Sequence, residues 1–226
     1  MPEHLLPPAD VLRAAYRAFS AAVATVDDDR SWLPTGCTGW SVRDLVFHCL
    51  GDAQRGLVAL HTPSAGRLPD RDAVSYWQEW QPNTPGAANG RRFIRVVASM
   101  FLEVGQLCES YLETTAAVAD AAGRTDPTEQ VATQGHVLTA GDLMRTLAVE
   151  ATIHHLDLIE SLSGAPGPSA EGLAEVRWTL DGLLGRPAPD SCDDAHYARV
   201  ATGRLAMPDA ERAELGAVAA RLPLLG

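Results

Sequence analysis

The chain has 226 residues, 46% of them apolar and 21% charged, and a formal net charge of −11 from 29 acidic and 18 basic side chains; this is the composition of a folded protein, not a disordered one. No basic run or stripe is present that could neutralise a phosphate backbone, which argues against nucleic acid as a partner. All 18 basic residues are arginine; the missing lysine removes Schiff-base catalysis and lysine-dependent P-loops, although the codon bias of a GC-rich genome accounts for the absence itself.

The N-terminal Met1-Pro-Glu-His-Leu-Leu-Pro-Pro8 lacks a basic or apolar leader pattern, and nowhere do about eighteen apolar residues run together. A cytoplasmic protein without a membrane partner is expected, with His4 in a mobile terminus. Over residues 9–26, Val11, Leu12, Ala15, Phe19, Ala22, Val23 and Val26 recur at three- and four-residue intervals, the pattern of a first amphipathic helix. Asp27–Asp29 and the stretch Pro34–Gly39 end it. A second helix is predicted from about Ser41 to Leu60 and a short one around Asp72–Trp80, with Pro82 and Pro85 breaking the chain. From Ala87 to Ala122 the apolar period runs on without interruption, which predicts one long helix stopped by Gly123. Residues 129–138 mix β-branched residues with a glycine and allow a hairpin or an extended loop. A further helix spans about 140–162, ended by Gly164, Pro166 and Pro168.

The elements predict an all-α fold: a four-helix bundle over residues 1–165, followed by a short helical extension over 166–226 packed on it, with helical runs near 169–184, 192–202 and 208–221. Cys37, Cys49, Cys108 and Cys192 have no regular spacing, so they are expected to be small buried hydrophobes, not a disulfide framework. Cys49 would point about 100° away from His48 on a helix and is not expected to be a ligand or nucleophile.

Two helices open alike. Trp40-Ser41-Val-Arg-Asp44-Leu45 and Leu138-Thr139-Ala-Gly-Asp142-Leu143 both place a hydroxyl at the cap, an acid three residues on, and apolar residues on either side of that first turn; together these can cap and staple a helix start. Counted from those caps, His48, Glu150 and His154 all fall well inside their helices. Leu143, Leu147, Glu150 and His154 lie within about 40° of one direction, so the polar pair continues an inward-facing stripe. A carboxylate there costs several kcal/mol unless it is paired, protonated or bound to metal.

Two imidazoles and a carboxylate can hold a zinc-type ion and leave a coordination position open, as catalytic sites do. The competing reading is a buried Glu–His hydrogen bond beside an unrelated His48. Asp52, one turn after His48, is a candidate to orient an imidazole or to act as an alternative ligand or catalytic carboxylate, and Asp157 is the other orienting candidate. His155 points away from His154 and reads as an interhelical histidine. His61, His136 and His196 have no partner at ligand spacing. The five tryptophans read as packing residues, with Trp77 and Trp80 also able to wall a pocket.

At Thr38-Gly-Trp-Ser-Val-Arg-Asp-Leu-Val-Phe-His48 and Leu147-Ala-Val-Glu-Ala-Thr-Ile-His-His-Leu-Asp-Leu158 the sequence resembles the DinB-like superfamily, most closely the mycothiol-dependent maleylpyruvate isomerase N-terminal domain family. The resemblance implies a DinB-like four-helix bundle with a divalent metal, usually zinc, on His48, Glu150 and His154. It also implies a thiol cosubstrate such as mycothiol, activated for isomerisation or S-transfer on a small electrophilic substrate. DinB-like bundles are often dimeric, so a homodimer is among the expected assemblies. Full-length isomerases of the family resemble a bundle plus a sizeable C-terminal domain that contributes to the active site, whereas the segment after Pro168 is short. Arg204, in a tail that resembles the closing region of shorter members, is a candidate catalytic or anion-binding residue, set against a reading as a solvated surface arginine. The alternatives to thiol chemistry are a metal-dependent hydrolase using activated water and a non-enzymatic bundle that binds metal or a small ligand.

Overall fold

Pro8 is the first residue of helix α1 (Pro8–Val23), where its fixed φ suits the helix and its missing N–H is no loss. The computed structural model describes residues 6–79, 85–189 and 192–225. Within them run α2 (Val42–Leu60), α3 (Pro85–Ala98), α4 (Val104–Arg124), a hairpin of β1 (Gln130–Thr133) and β2 (His136–Thr139), α5 (Ala140–Leu158), α6 (Ala170–Leu184), α7 (Asp194–Ala201) and α8 (Asp209–Leu215). His4, Trp80 and Pro82 lie outside the described residues, and no helix among those described is long and apolar enough to cross a membrane.

Helices α1, α4, α2 and α5 form the bundle in that order around its axis, each packing on the two beside it. Among the described residues the fold is all-α apart from one two-stranded hairpin. One half of the core gathers Leu12, Ala15, Tyr16, Val118, Leu143 and Met144, and the other gathers Phe19, Val23, Leu45, Leu107, Tyr111 and Leu158. The stripe expected on α1 is the buried one, but the helix ends at Val23. There Ala24 N–H bonds Ser20 O, and the next amides turn back three residues, to Ala22 O and Val23 O.

The predicted 87–122 helix is two helices. The apolar period runs through the gap, yet tertiary contacts divert the chain at Ser99–Glu103. Arg43 donates to the Phe101 carbonyl at 3.0 Å, Asp28 caps the Val104 amide at 2.9 Å, and the Phe101 ring packs on Phe47 at 6.2 Å. Met100, which falls on the apolar period of the sequence, is exposed, and so is the adjacent Leu102. Pro85 starts α3, the position where proline belongs, and α4 runs past Gly123 to Arg124. In the hairpin, Gln134 and Gly135 both take positive φ, as a two-residue turn between twisted strands requires.

The segment after Pro168 packs α6 on α5 and α1, with α7 on α6 and α5. A third core forms there from Val149, Ile153 and Leu156 of α5 against Val176, Leu180 and Tyr197, and Trp77 is buried in it. Trp77 is therefore a packing residue. Glu175 of α6 is fully buried and pairs with the equally buried Arg145 of α5.

Candidate metal centre

Both expected caps form. Ser41 N–H and Oγ–H donate to Asp44 Oδ2 at 2.9 and 2.8 Å. Thr139 Oγ1 accepts the Asp142 amide at 3.0 Å and donates to its carboxylate at 2.6 Å. These starts fix the rotation of α2 and α5, which lie side by side in the bundle. His48 on α2 then faces Glu150 and His154 on α5.

The two inward nitrogens, His48 Nε2 and His154 Nε2, are 3.1 Å apart, and Glu150 Oε2 lies 3.3 Å from His154 Nε2. Donors held at ordinary zinc distances in a tetrahedron sit about 3.3 Å from one another, so this donor set fits a zinc-type ion. The ring planes of the two histidines are perpendicular, with centroids 4.7 Å apart. The Glu150 side chain keeps 32% exposure, which leaves the site open on that side. Trp40 closes another side, its ring 5.0 Å from that of His48.

Behind His154, Nδ1 meets Asp157 Oδ2 at 3.0 Å, the carboxylate–histidine arrangement that fixes a ligand's tautomer and ring orientation. Asp157 is gripped in turn by Arg204, Nε to Oδ1 at 2.6 Å and Nη2 to Oδ2 at 2.8 Å. Burial works to raise the Asp157 carboxyl, but His154 and Arg204 hold it well below the usual range. Only 17% of the Arg204 side chain is exposed; the reading as a solvated surface arginine gives way to a buried bidentate pair.

Cys37 was not legible as a site residue. It lies in the loop before α2, partly buried, with Sγ 3.2 Å from Asp157 Oδ2 and 3.7 Å from His154 Nδ1. The other three cysteines are buried as expected, and burial pushes the Cys49 thiol up to about 12. The loop approaches α5 closely because residue 36 is glycine: Gly36 N–H bonds Asp157 O at 3.0 Å, and a Cβ there would stand 2.5 Å from Asp157 Oδ1. Cys37, His154 and Asp157 form a second group within ligand distance. The Arg204 guanidinium already neutralises that carboxylate, so the second group is the poorer cation site.

Asp52 Oδ2 lies 3.1 Å from His48 Nε2, the inward nitrogen, and its other oxygen pairs with Arg55. It does not orient the ring from behind, as one reading of the sequence had it. Burial and the neighbouring His154 lower His48 to about 3, which leaves it neutral. His154 goes the other way: burial opposes its charge, but Cys37, Asp157 and Glu150 raise it well above the ordinary value. Glu150 is desolvated, yet the hydrogen bond and charge of His154 hold its carboxyl low. His155 points away as expected, with Nε2 2.9 Å from Pro166 O and its ring against Phe19. His136 lies beside the carboxylate of Asp70 and His196 beside that of Glu211, and His61 faces the Leu57 carbonyl.

The sequence profile described as the mycothiol maleylpyruvate isomerase N-terminal domain matches residues 12–159. The chain belongs to that family. Among solved structures, a mycothiol-dependent maleylpyruvate isomerase and a histidine-to-alanine variant of it are similar, with TM-scores of 0.59 and 0.62 at 18% and 17% identity, and 88% of each chain covered. At that identity the likeness carries the fold. No curated protein matches the sequence.

The family profile spans α1 to the end of α5 and so contains all three donors. The structural likeness extends further, since 88% of 226 residues is about 199 and only 165 precede the extension. Coverage of 88% of the isomerase chain as well overturns the expectation that the segment after Pro168 is short beside the family's full-length isomerases. Arg204, which reaches Asp157, comes from that segment.

Proposed function

We propose that the protein is a metal-dependent enzyme that activates a low-molecular-weight thiol of the mycothiol type for isomerisation of, or S-transfer to, a small electrophilic substrate. The observation that carries this reading is the convergence of His48 Nε2, His154 Nε2 and the Glu150 carboxylate at mutual distances suited to one ion, with an open side. Membership of the family supports it. The three side chains would hold a divalent ion of the zinc type, which when bound favours the thiolate form of a coordinating thiol at neutral pH.

The protein's own groups do the rest. Asp157 keeps a proton on His154 Nδ1, so that Nε2 presents its lone pair inward. Arg204 fixes Asp157 in that task. Asp52, beside His48 and tethered to Arg55, is positioned to accept the proton that the thiol gives up. Trp40 shields the His48 side from water. Such chemistry belongs in the cytoplasm, where low-molecular-weight thiols stay reduced.

The test is product analysis by mass spectrometry with and without added thiol, with maleylpyruvate as the first electrophile, alongside metal analysis of the wild type, His48→Ala and His154→Ala. Thiol-dependent turnover that is lost together with the metal in both variants is expected. Turnover without any thiol would sink the thiol reading in favour of hydrolysis, and undiminished metal content in both variants would remove the site.

A further inference from the structure

Outside the metal centre, the most informative feature is a cleft of about 790 Å³ between α3 and the loop that leads into α2, a volume within the range of small-molecule sites. Arg91, Arg92 and Arg95 line one wall, and Trp32 and Trp40 line the other. Helix α3 carries these three arginines and no acidic residue. Arg92 and Arg95 are three apart and so share a face.

The walls add little opposing charge. Asp44 also borders the cleft, but its carboxylate accepts two bonds from Ser41 and is buried. Arg43 adds a further positive charge close by, its guanidinium stacked 4.1 Å from the Trp32 ring centroid. In a chain of net charge −11, a cleft whose described lining sets the Arg92 and Arg95 guanidinium groups against one committed carboxylate concentrates anions locally. Planar guanidinium forks suit carboxylates, and the flat indole faces suit an apolar or unsaturated body attached to one. Trp40 belongs to both sites: it lines the cleft and packs against His48. The Trp40 indole is therefore the wall that the cleft shares with His48.

We propose that this cleft is the subsite for a carboxylate of the small electrophilic substrate, gripped by Arg92 and Arg95 with its body against Trp32 and Trp40. Assigning that carboxylate to the substrate rests on the thiol-enzyme reading above; the cleft's affinity for carboxylates does not, and the experiment reads it separately.

The probe is maleate, titrated into the full-length protein with tryptophan fluorescence and calorimetry as readouts. Wild type, Arg92→Ala, Arg95→Ala and the double variant are compared, with inorganic phosphate and the neutral diamide of maleate as control ligands. Both arginines are exposed, so the variants keep the fold. Saturable binding is expected, weakened roughly tenfold by each arginine removed, as the loss of a charge-assisted hydrogen bond implies. The diamide should not bind, and added salt should weaken the complex. Retention of maleate binding in His48→Ala supports the cleft, because a carboxylate held on the metal would be lost there. Equal affinity in the arginine variants, or no binding to the wild type, overturns the subsite. Phosphate binding as tightly as maleate overturns its assignment to carboxylates. A protein that binds maleate through these arginines but shows no thiol-dependent turnover keeps the subsite while refuting the thiol reading.

Discussion

At the scale of single residues, the site depends on which nitrogen of His154 faces inward, and Asp157 decides that. Cys37, Asp157 and Glu150 raise the proton affinity of His154, so an ion must compete with that proton and apparent affinity falls as pH falls. Asp157→Asn is expected to weaken metal affinity roughly 10- to 100-fold and to flatten its pH dependence, because a charge that retains the competing proton is gone. Chelator competition between pH 6 and 8 measures both; an unchanged affinity at every pH would dismiss Asp157 as a support. The neighbouring His155 makes a different prediction. Burial lowers it to about 4 against the bond to Pro166 O, whereas in the unfolded chain it titrates near 6.5. Below about pH 6.5 the unfolded state takes up a proton that the folded state refuses, so stability is lost as pH falls toward 4, by on the order of 3 kcal/mol in all. His155→Gln should show a shallower slope over that window in urea unfolding, and a slope equal to the wild type's would refute the assignment. Helical spacing makes the Glu150–His154 pair legible in the sequence, and the family resemblance adds His48 as its partner across the bundle. Cys37 carries no such signal, and Arg204 stands out only through the resemblance of its tail, with nothing to say that it grips Asp157: both come from irregular segments, where no period predicts direction.

At the scale of elements, the caps matter most, because they set where each helix begins and hence which residues its inner face carries. The paired Ser41/Asp44 and Thr139/Asp142 starts were readable as local patterns and form as read. Thr139→Ala is expected to cost about 1 kcal/mol of stability in denaturant unfolding while leaving metal content unchanged, since the body of α5 is held by packing on both sides. A loss of metal without a loss of stability would show that the cap positions the ligands directly. The break between α3 and α4 was not readable. An apolar period says which side of a helix is buried but nothing about a carbonyl claimed by Arg43 or an amide claimed by Asp28 from elsewhere in the fold. The sequence does not decide the hairpin for a related reason: residues 129–138 are too short for periodicity, and the Gln134–Gly135 turn is what marks it.

At the scale of the whole molecule, the segment after Pro168 does two separable jobs. Its α6 covers the face of α5 opposite the ligands, through the third core and the buried Arg145–Glu175 pair. The residues after α7 carry Arg204 to Asp157, 47 positions away in sequence. Such long-range pairs leave no local trace, which is why the sequence points to an extension packed on the bundle but not to the Arg204–Asp157 contact that it delivers. The two jobs respond differently to substitution. Glu175→Ala leaves Arg145 buried without a counter-charge and is expected to destabilise the fold by about 3–5 kcal/mol, whereas Arg145→Met combined with Glu175→Leu should come out near neutral because neither desolvated charge remains. The residual folded fraction of Glu175→Ala should bind metal as the wild type does, since Arg204 and Asp157 are untouched. Arg204→Ala should do the reverse, lowering metal affinity by about tenfold or more through a loosened Asp157 at a smaller cost in stability. Urea midpoints and chelator competition on the four proteins separate these effects. If Glu175→Ala and Arg204→Ala lost stability and affinity in the same proportion, the extension would act as a single cooperative unit and not as a staple and a clamp.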